Sequence, residues 1–352
     1  MIRTLNSLRF ILILMIVISH STLPLSQGLK DYLGECPVAI FFVISGFVLS
    51  LSKGEKLEKG ELSNKQFFLS RIFKLYPLHW LIIAILIPMD WRLGYLKPWY
   101  QILSHCLLLQ CWYPTHNFVS ALNAATWFLS DIILFYLIFK YLYHWIIKSS
   151  WKKSIPIIGT YTILYIAISL YCKEDYSAGF IYCFPPFRMI DFIIGILLYK
   201  FYKSKQGNAL VEFIHKNYSS WSACLADIML VLIFVGMYYL SININPNIRC
   251  ASIYWIPASI MIFYVTICDR KREGLLNHLL HNKVLLWLGG ISFEIYLCHG
   301  LAFRIIQSIF LKIYGENIPY LELQLMIALA FTIIVAWMSK KYIVIPIFNK
   351  LK

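Results

Sequence analysis

Charge is scarce in this chain, and acid is scarcer than base. Of 352 residues only 14% are charged, with 17 Asp and Glu against 32 Lys and Arg. A soluble domain carries about 25% charged residues. The deficit argues against a solvated globular surface and indicates a polytopic membrane protein. No CxxC or metal-type spacing occurs among the nine cysteines. Cys106, Cys183, Cys224, Cys268 and Cys298 fall in or beside apolar segments and read as small apolar fillers, so no metal is expected. The net charge of +15 does not signal nucleic acid, because Lys and Arg occur in short loops between apolar runs and not on a contiguous basic face. No small-residue cleavage site follows the first apolar run, so Arg3, Arg9 and that run read as a retained helix and not as a signal peptide. With no soluble domain, repeat or low-complexity tail, residues 1–352 read as a single membrane domain.

Long apolar runs are what the chain has in their place. Segments able to cross a bilayer, about 17–25 residues each, fall near 8–25, 37–52, 72–89, 126–147, 155–171, 185–201, 225–242, 251–268, 284–311 and 322–346. The expected fold is an all-α integral membrane protein of about ten transmembrane helices. Ile102–Trp112 is apolar too, but short enough to be re-entrant or interfacial. Positive charge concentrates in alternate loops, for example Lys53, Lys56, Lys59 and Lys65, then Lys148, Lys152 and Lys153, then Arg270, Lys271 and Arg272, then Lys340, Lys341, Lys350 and Lys352. The intervening loops hold one or two such charges each, which places both termini in the cytoplasm. The loop 90–125 is rich in Trp, Tyr and Pro. It reads either as an interfacial aromatic belt or as an aromatic platform for a sugar ring.

Several ionisable residues interrupt the apolar runs: His20, Asp131, Arg188, Asp191, Glu294, His299 and Arg304. Between Arg9 and His20 lie ten uncharged residues, FILILMIVIS. A helix rises about 1.5 Å per residue, so the two are roughly 16 Å apart. If the helix crosses the membrane, Arg9 lies near one face and His20 well inside the hydrocarbon. An ionisable group at such depth is a functional candidate; the alternative is a neutral histidine bonded to a neighbouring helix. Arg188 and Asp191, three residues apart, share a helix face and can pair. Gly289-Gly290 predicts an irregular start to the ninth helix. Ser45-Gly46 reads as a close-packing point and not as a nucleophile. A histidine with a nearby carboxylate can serve as a general base on a hydroxyl. The same residue types can also form a proton relay in a transporter or flippase for a lipid-linked glycan. Composition leaves both open.

Six stretches occur in one order: Arg9-x10-His20, AIFFVISGFVLS (39–50), FFLSRIFKLYPLHW (67–80), TWFLSDIILFYLIF (126–139), FRMIDFIIGILLY (187–199) and WLGGISFEIYLCHG (287–300). This order resembles the acyltransferase-3 family of integral membrane acyltransferases over essentially the whole chain. The resemblance implies transfer of an acyl group, usually acetyl, from cytoplasmic acyl-CoA to a hydroxyl of a cell-surface or exported polysaccharide or its lipid-linked precursor. It implies as partners the bilayer, the glycan acceptor and polysaccharide-assembly proteins, and as location the plasma (inner) membrane. Carried onto this sequence, His20 matches the motif histidine that acts on acceptor or acyl group, and Arg9 matches its arginine. Arg71 falls on the first arginine of an RxxR motif whose second is Lys74 here, which keeps the charge and loses the bidentate fork. Arg9, Arg71 and Lys74 are thus expected to bind the phosphate-bearing donor. Asp131 and Glu294 are expected to assist His20, with His299 in the ninth-helix signature as a second candidate; His79 also matches a motif position. Asp131 stands one residue before the place where many members have glutamate, a turn of about 100° on a helix. Tyr342-Ile343-Val344-Ile345-Pro346 lacks the family's acid, and no fused esterase-like domain is expected.

Overall fold

The computed structural model describes residues 2–173, 177–250, 252–269, 274–315 and 319–350. Arg270, Lys271, Arg272 and Lys352 of the expected basic loops lie outside them. Among the described residues there is helix and no strand. Ten long helices are α1 (Thr4–Ser19), α2 (Gln27–Leu49), α3 (Asn64–Arg92), α4 (Trp127–Lys148), α5 (Trp151–Tyr171), α6 (Pro185–Tyr202), α7 (Ser220–Asn243), α8 (Trp255–Cys268), α9 (Ser292–Tyr314) and α10 (Leu321–Ser339). Among the described residues eight helical segments are long and apolar enough to cross a membrane, and Thr4–Ser19 and Ser252–Cys268 are shorter apolar helices. All ten coincide with the runs read from the sequence.

Local chemistry sets where several helices begin. Ser26 caps α2, its side chain accepting from the Leu29 backbone N–H at 3.3 Å. Ser63 and Gln66 form a reciprocal capping box at the start of α3, satisfying donors that the first turn leaves unpaired. Pro185 and Pro186 open α6, where a missing N–H costs nothing.

The centre of the bundle is α2 against α6, with α1 on the other side of α2. This contact depends on two glycines. A Cβ on Gly46 would lie 2.1 Å from the Phe192 carbonyl oxygen, and one on Gly195 the same distance from that of Val43. Backbones this close give dispersion contacts that side chains would prevent. Gly46 is therefore the close-packing point expected from the sequence. Ser45 donates to the Phe41 carbonyl at 2.7 Å, an ordinary helix-internal bond. By contrast α5 and α7 bury few residues and form the periphery.

Arg188 and Asp191 pair as the spacing predicts, Nε to Oδ2 at 3.2 Å, with both side chains fully buried. Trp255 Nε1 donates to the other carboxylate oxygen and ties α8 to α6. The ninth apolar run is broken as expected. Helix Lys283–Gly290 ends, Ile291 departs from helical geometry, and α9 begins at Ser292. The break brings Gly289 against α1, where a Cβ would lie 2.0 Å from the Asn6 carbonyl oxygen.

One detail differs from the sequence reading. Helix α1 stops at Ser19, so His20 caps its end and does not lie mid-span. The stretch at Ile102–Trp112 is short, as expected. It folds as a helix Trp99–Cys106 and a single tight turn at Gln110–Trp112. His105 is buried within it and contacts the Phe118 carbonyl at 2.7 Å, and the His105 carbonyl in turn accepts from His79 at 2.8 Å.

Candidate active site

The spacing of Arg9 and His20 does more than set a distance. Eleven residues at about 100° each return to within roughly 20° of the starting direction, so both side chains lie on one face of α1. Ile13 and Ile16 fall on the same stripe. Arg9, Ile13 and Ile16 line one cavity of ≈ 190 Å³, and His20 lines a second of ≈ 230 Å³. Helix α9 repeats the pattern, giving Ser292, Phe293 and Tyr296 to the first cavity and His299, Phe303, Arg304 and Gln307 to the second.

The first cavity gathers Arg9, Arg71 and Lys74 from two helices distant in sequence. Among the described residues none of the three forms an ion pair with a carboxylate. The Arg71 guanidinium lies over the Phe67 and Tyr136 rings, 5.3 and 5.6 Å from their centroids, and its Nε is buried without a hydrogen-bond partner. Aromatic faces hold a guanidinium by attraction to the ring quadrupole while leaving its N–H groups free. Phe41, Phe128 and Tyr136 supply apolar walls. Three cations converging without an ion-paired carboxylate have the chemistry of a receptor for an anion bearing several charges.

The second cavity is built around two histidines with ring centroids 5.2 Å apart. His20 Nδ1 lies 2.9 Å from the Ile16 carbonyl oxygen, and His299 Nδ1 lies 2.5 Å from that of Tyr296. A carbonyl only accepts, so each Nδ1 carries a proton, and in the neutral ring the lone pair lies on Nε2. Tyr296 stands between the cavities. Its hydroxyl donates to the Ala125 carbonyl at 2.6 Å, its ring meets Phe128 of the first cavity at 5.9 Å, and it meets His299 at 5.8 Å.

The structure thus brings His20 to His299, and Arg9 to Arg71 and Lys74. It does not bring Asp131 or Glu294 to His20. Asp131 is fully buried, both carboxylate oxygens lack a hydrogen-bond partner, and its charged neighbours are Arg188 and Asp191. Glu294 is buried on α9 five residues before His299, with Lys74 and Lys340 as its electrostatic neighbours. Lys340 donates to the Gly290 carbonyl at the break before α9. His79 lines neither of these cavities. Tyr136 and Tyr296 went unrecognised in the sequence because aromatics are common in it. The α9 period of Ser292, Tyr296, His299 and Phe303 was the available signal.

A bundle of apolar helices in which a cation cluster and a histidine pair line two neighbouring cavities defines a polytopic membrane protein with a two-part candidate site. Residues 2–340 match the model of the acyltransferase-3 family, described as an acyltransferase domain. The chain belongs to that family and is a membrane acyltransferase. It is similar to the acyltransferase MdmB of Streptomyces mycarofaciens, at 25% identity over 293 residues that cover 77% of this chain and 69% of the relative. No solved structure matches it.

Proposed function

We propose that this protein is a plasma-membrane O-acyltransferase, with both termini cytoplasmic. It moves an acyl group, most simply acetyl, from cytoplasmic acyl-CoA to a hydroxyl of a cell-surface or exported polysaccharide or its lipid-linked precursor. The observation that carries this reading is the convergence of Arg9, Arg71 and Lys74, unpaired, in a cavity sharing one face of α1 with His20. CoA carries several phosphate charges, and guanidinium and ammonium groups bind such charge by short charge-assisted hydrogen bonds. The thioester-bearing arm then follows the Ile13 and Ile16 stripe toward Tyr296 and His20.

In the second cavity His20 Nε2 takes the proton of the acceptor hydroxyl as its oxygen attacks the thioester carbonyl. The C–O bond forms, the C–S bond breaks, and the CoA thiolate leaves and takes up a proton. His299 shares this cavity with His20, its ring centroid 5.2 Å away.

The test is release of free CoA from acetyl-CoA by purified full-length protein with isolated surface glycan as acceptor. Consumption that disappears in His20→Ala supports the proposal. No consumption by intact protein, with unchanged glycan export when the protein is present, overturns it; altered export without acylation would assign the chambers to transport.

A further inference from the structure

Beyond the histidines the second cavity does not end. Arg304 and Gln307 line it and also line a third cavity of ≈ 430 Å³, together with Asp90, Tyr95, Lys97, Ser120 and Ser308. Arg304 is the post between the two. Its Nη1 donates to Asp90 Oδ1 at 3.0 Å and its Nη2 to the Leu122 carbonyl at 2.9 Å. Asp90 is buried, whereas 43% of the Arg304 side chain is exposed. A guanidinium has five N–H donors. Two are engaged here, which leaves donors to spare on a part-exposed side chain with a carboxylate beside it.

We propose that Arg304 and Asp90 form the positioning pair for the acceptor, and that the group they hold is an uncharged saccharide ring with adjacent hydroxyls. The inference rests on the acyltransferase reading above. Three features of the pair argue for it. Within the pair the arginine and aspartate charges cancel, so a neutral ligand meets no net charge at the post, whereas an anion would have to compete with Asp90 for the guanidinium; Lys97 is a further cation in the lining of this cavity. A parallel N–H fork beside a carboxylate offers donors and an acceptor side by side, which matches the donor and acceptor character of neighbouring hydroxyls. Tyr95, at the outer rim, offers an exposed aromatic ring to the apolar face of a sugar. Arg304 lies five residues after His299 on α9, so a ring held at the post has its far edge directed along the helix toward the His20–His299 pair.

The test uses full-length protein in detergent. Methyl glycosides of glucose, galactose, mannose and rhamnose are titrated in one series and CoA in another, for the intact protein, Arg304→Lys and Asp90→Asn. Lysine keeps the ion pair and loses the fork, so a merely structural brace would survive the first substitution. The expected result is saturable binding of at least one glycoside. Both substitutions then weaken it tenfold or more, while CoA affinity stays within twofold. Equal glycoside affinity in all three proteins overturns the inference, and so does a protein that binds CoA but none of the glycosides. Loss of both affinities in both variants marks the pair as a brace and overturns it as well. If the intact protein binds neither probe, the acyl-CoA reading of the site fails and the inference falls with it.

Discussion

The two inner chambers lie on the same faces of the same two helices, yet their electrostatics are opposite in kind. In the first, three cations form no ion pair among the described residues and one is stacked on aromatic rings. In the second, two imidazoles are oriented by backbone carbonyls that accept from Nδ1. Unpaired positive charge is a binding device, ready for a polyanion and of no use for removing a proton. A neutral imidazole is a proton acceptor and contributes little to holding phosphate. On the proposed reading one helix stripe carries donor recognition at one end and acid–base chemistry at the other, separated by the Arg-x10-His spacing.

The comparison is sharpened most by His20→Ala. Removing a general base typically costs 10²–10⁴-fold, so acyl transfer is expected to fall by about that factor with CoA affinity retained. Release of CoA in a timed assay with saturating donor checks it, and a loss under tenfold would mean that His299 serves as the base. Next in size is Asp191→Ala, outside both chambers. Removing one partner of a buried ion pair costs about 3–5 kcal/mol, and Arg188 would be left buried and unpaired. Thermal unfolding in detergent should show a large drop, with donor and acceptor binding failing together and not separately.

Arg9→Gln or Arg71→Gln should raise the KM for donor about 10–100-fold, as expected for losing charged hydrogen bonds of roughly 1.5–3 kcal/mol. Turnover at saturating donor should change far less. If turnover falls and KM does not, the division between chambers is wrong. A smaller effect is expected for Gly195→Ala, about 1–3 kcal/mol of overpacking between α2 and α6, read as a lower unfolding temperature with the KM for donor unaltered.

The smallest effect lies in the loop outside the bundle. Burial lowers His105 from its ordinary value to about 4. Its folded-state pKa is below the unfolded one, so the loop's stability is complete above about pH 6.5 and is lost as pH falls toward 4. Faster amide exchange across residues 99–119 over that interval, with α2 and α6 still protected, would show it.

Much of this was legible in the sequence because it depends on properties local in the chain. Ten apolar runs gave ten helices, since backbone groups in lipid must be satisfied within the segment and only helices do that one run at a time. The i,i+3 spacing of Arg188 and Asp191 made their pairing readable, as did the small pair Gly289-Gly290 for the break before α9. The Arg9–His20 register gave a shared face from helix geometry alone. The termination of α1 at Ser19 was less visible, because the apolar character continues to Leu25 while the helix does not.

What the sequence alone determined is the membrane class, the helix count, the family and the identity of the basic and histidine residues. Composition, run length and fixed helical period are all properties of one strand of residues. Only the tertiary structure decided which ionisable groups share a chamber. Asp131 was drawn to Arg188, and Glu294 toward Lys74 and Lys340. His299 came to His20 across 279 positions of chain. The reason is that helix rotation and crossing follow from contacts such as Gly46 on Gly195 and Gly289 on Asn6. A rotation of one residue, about 100°, would turn any of these side chains from a cavity to the lipid.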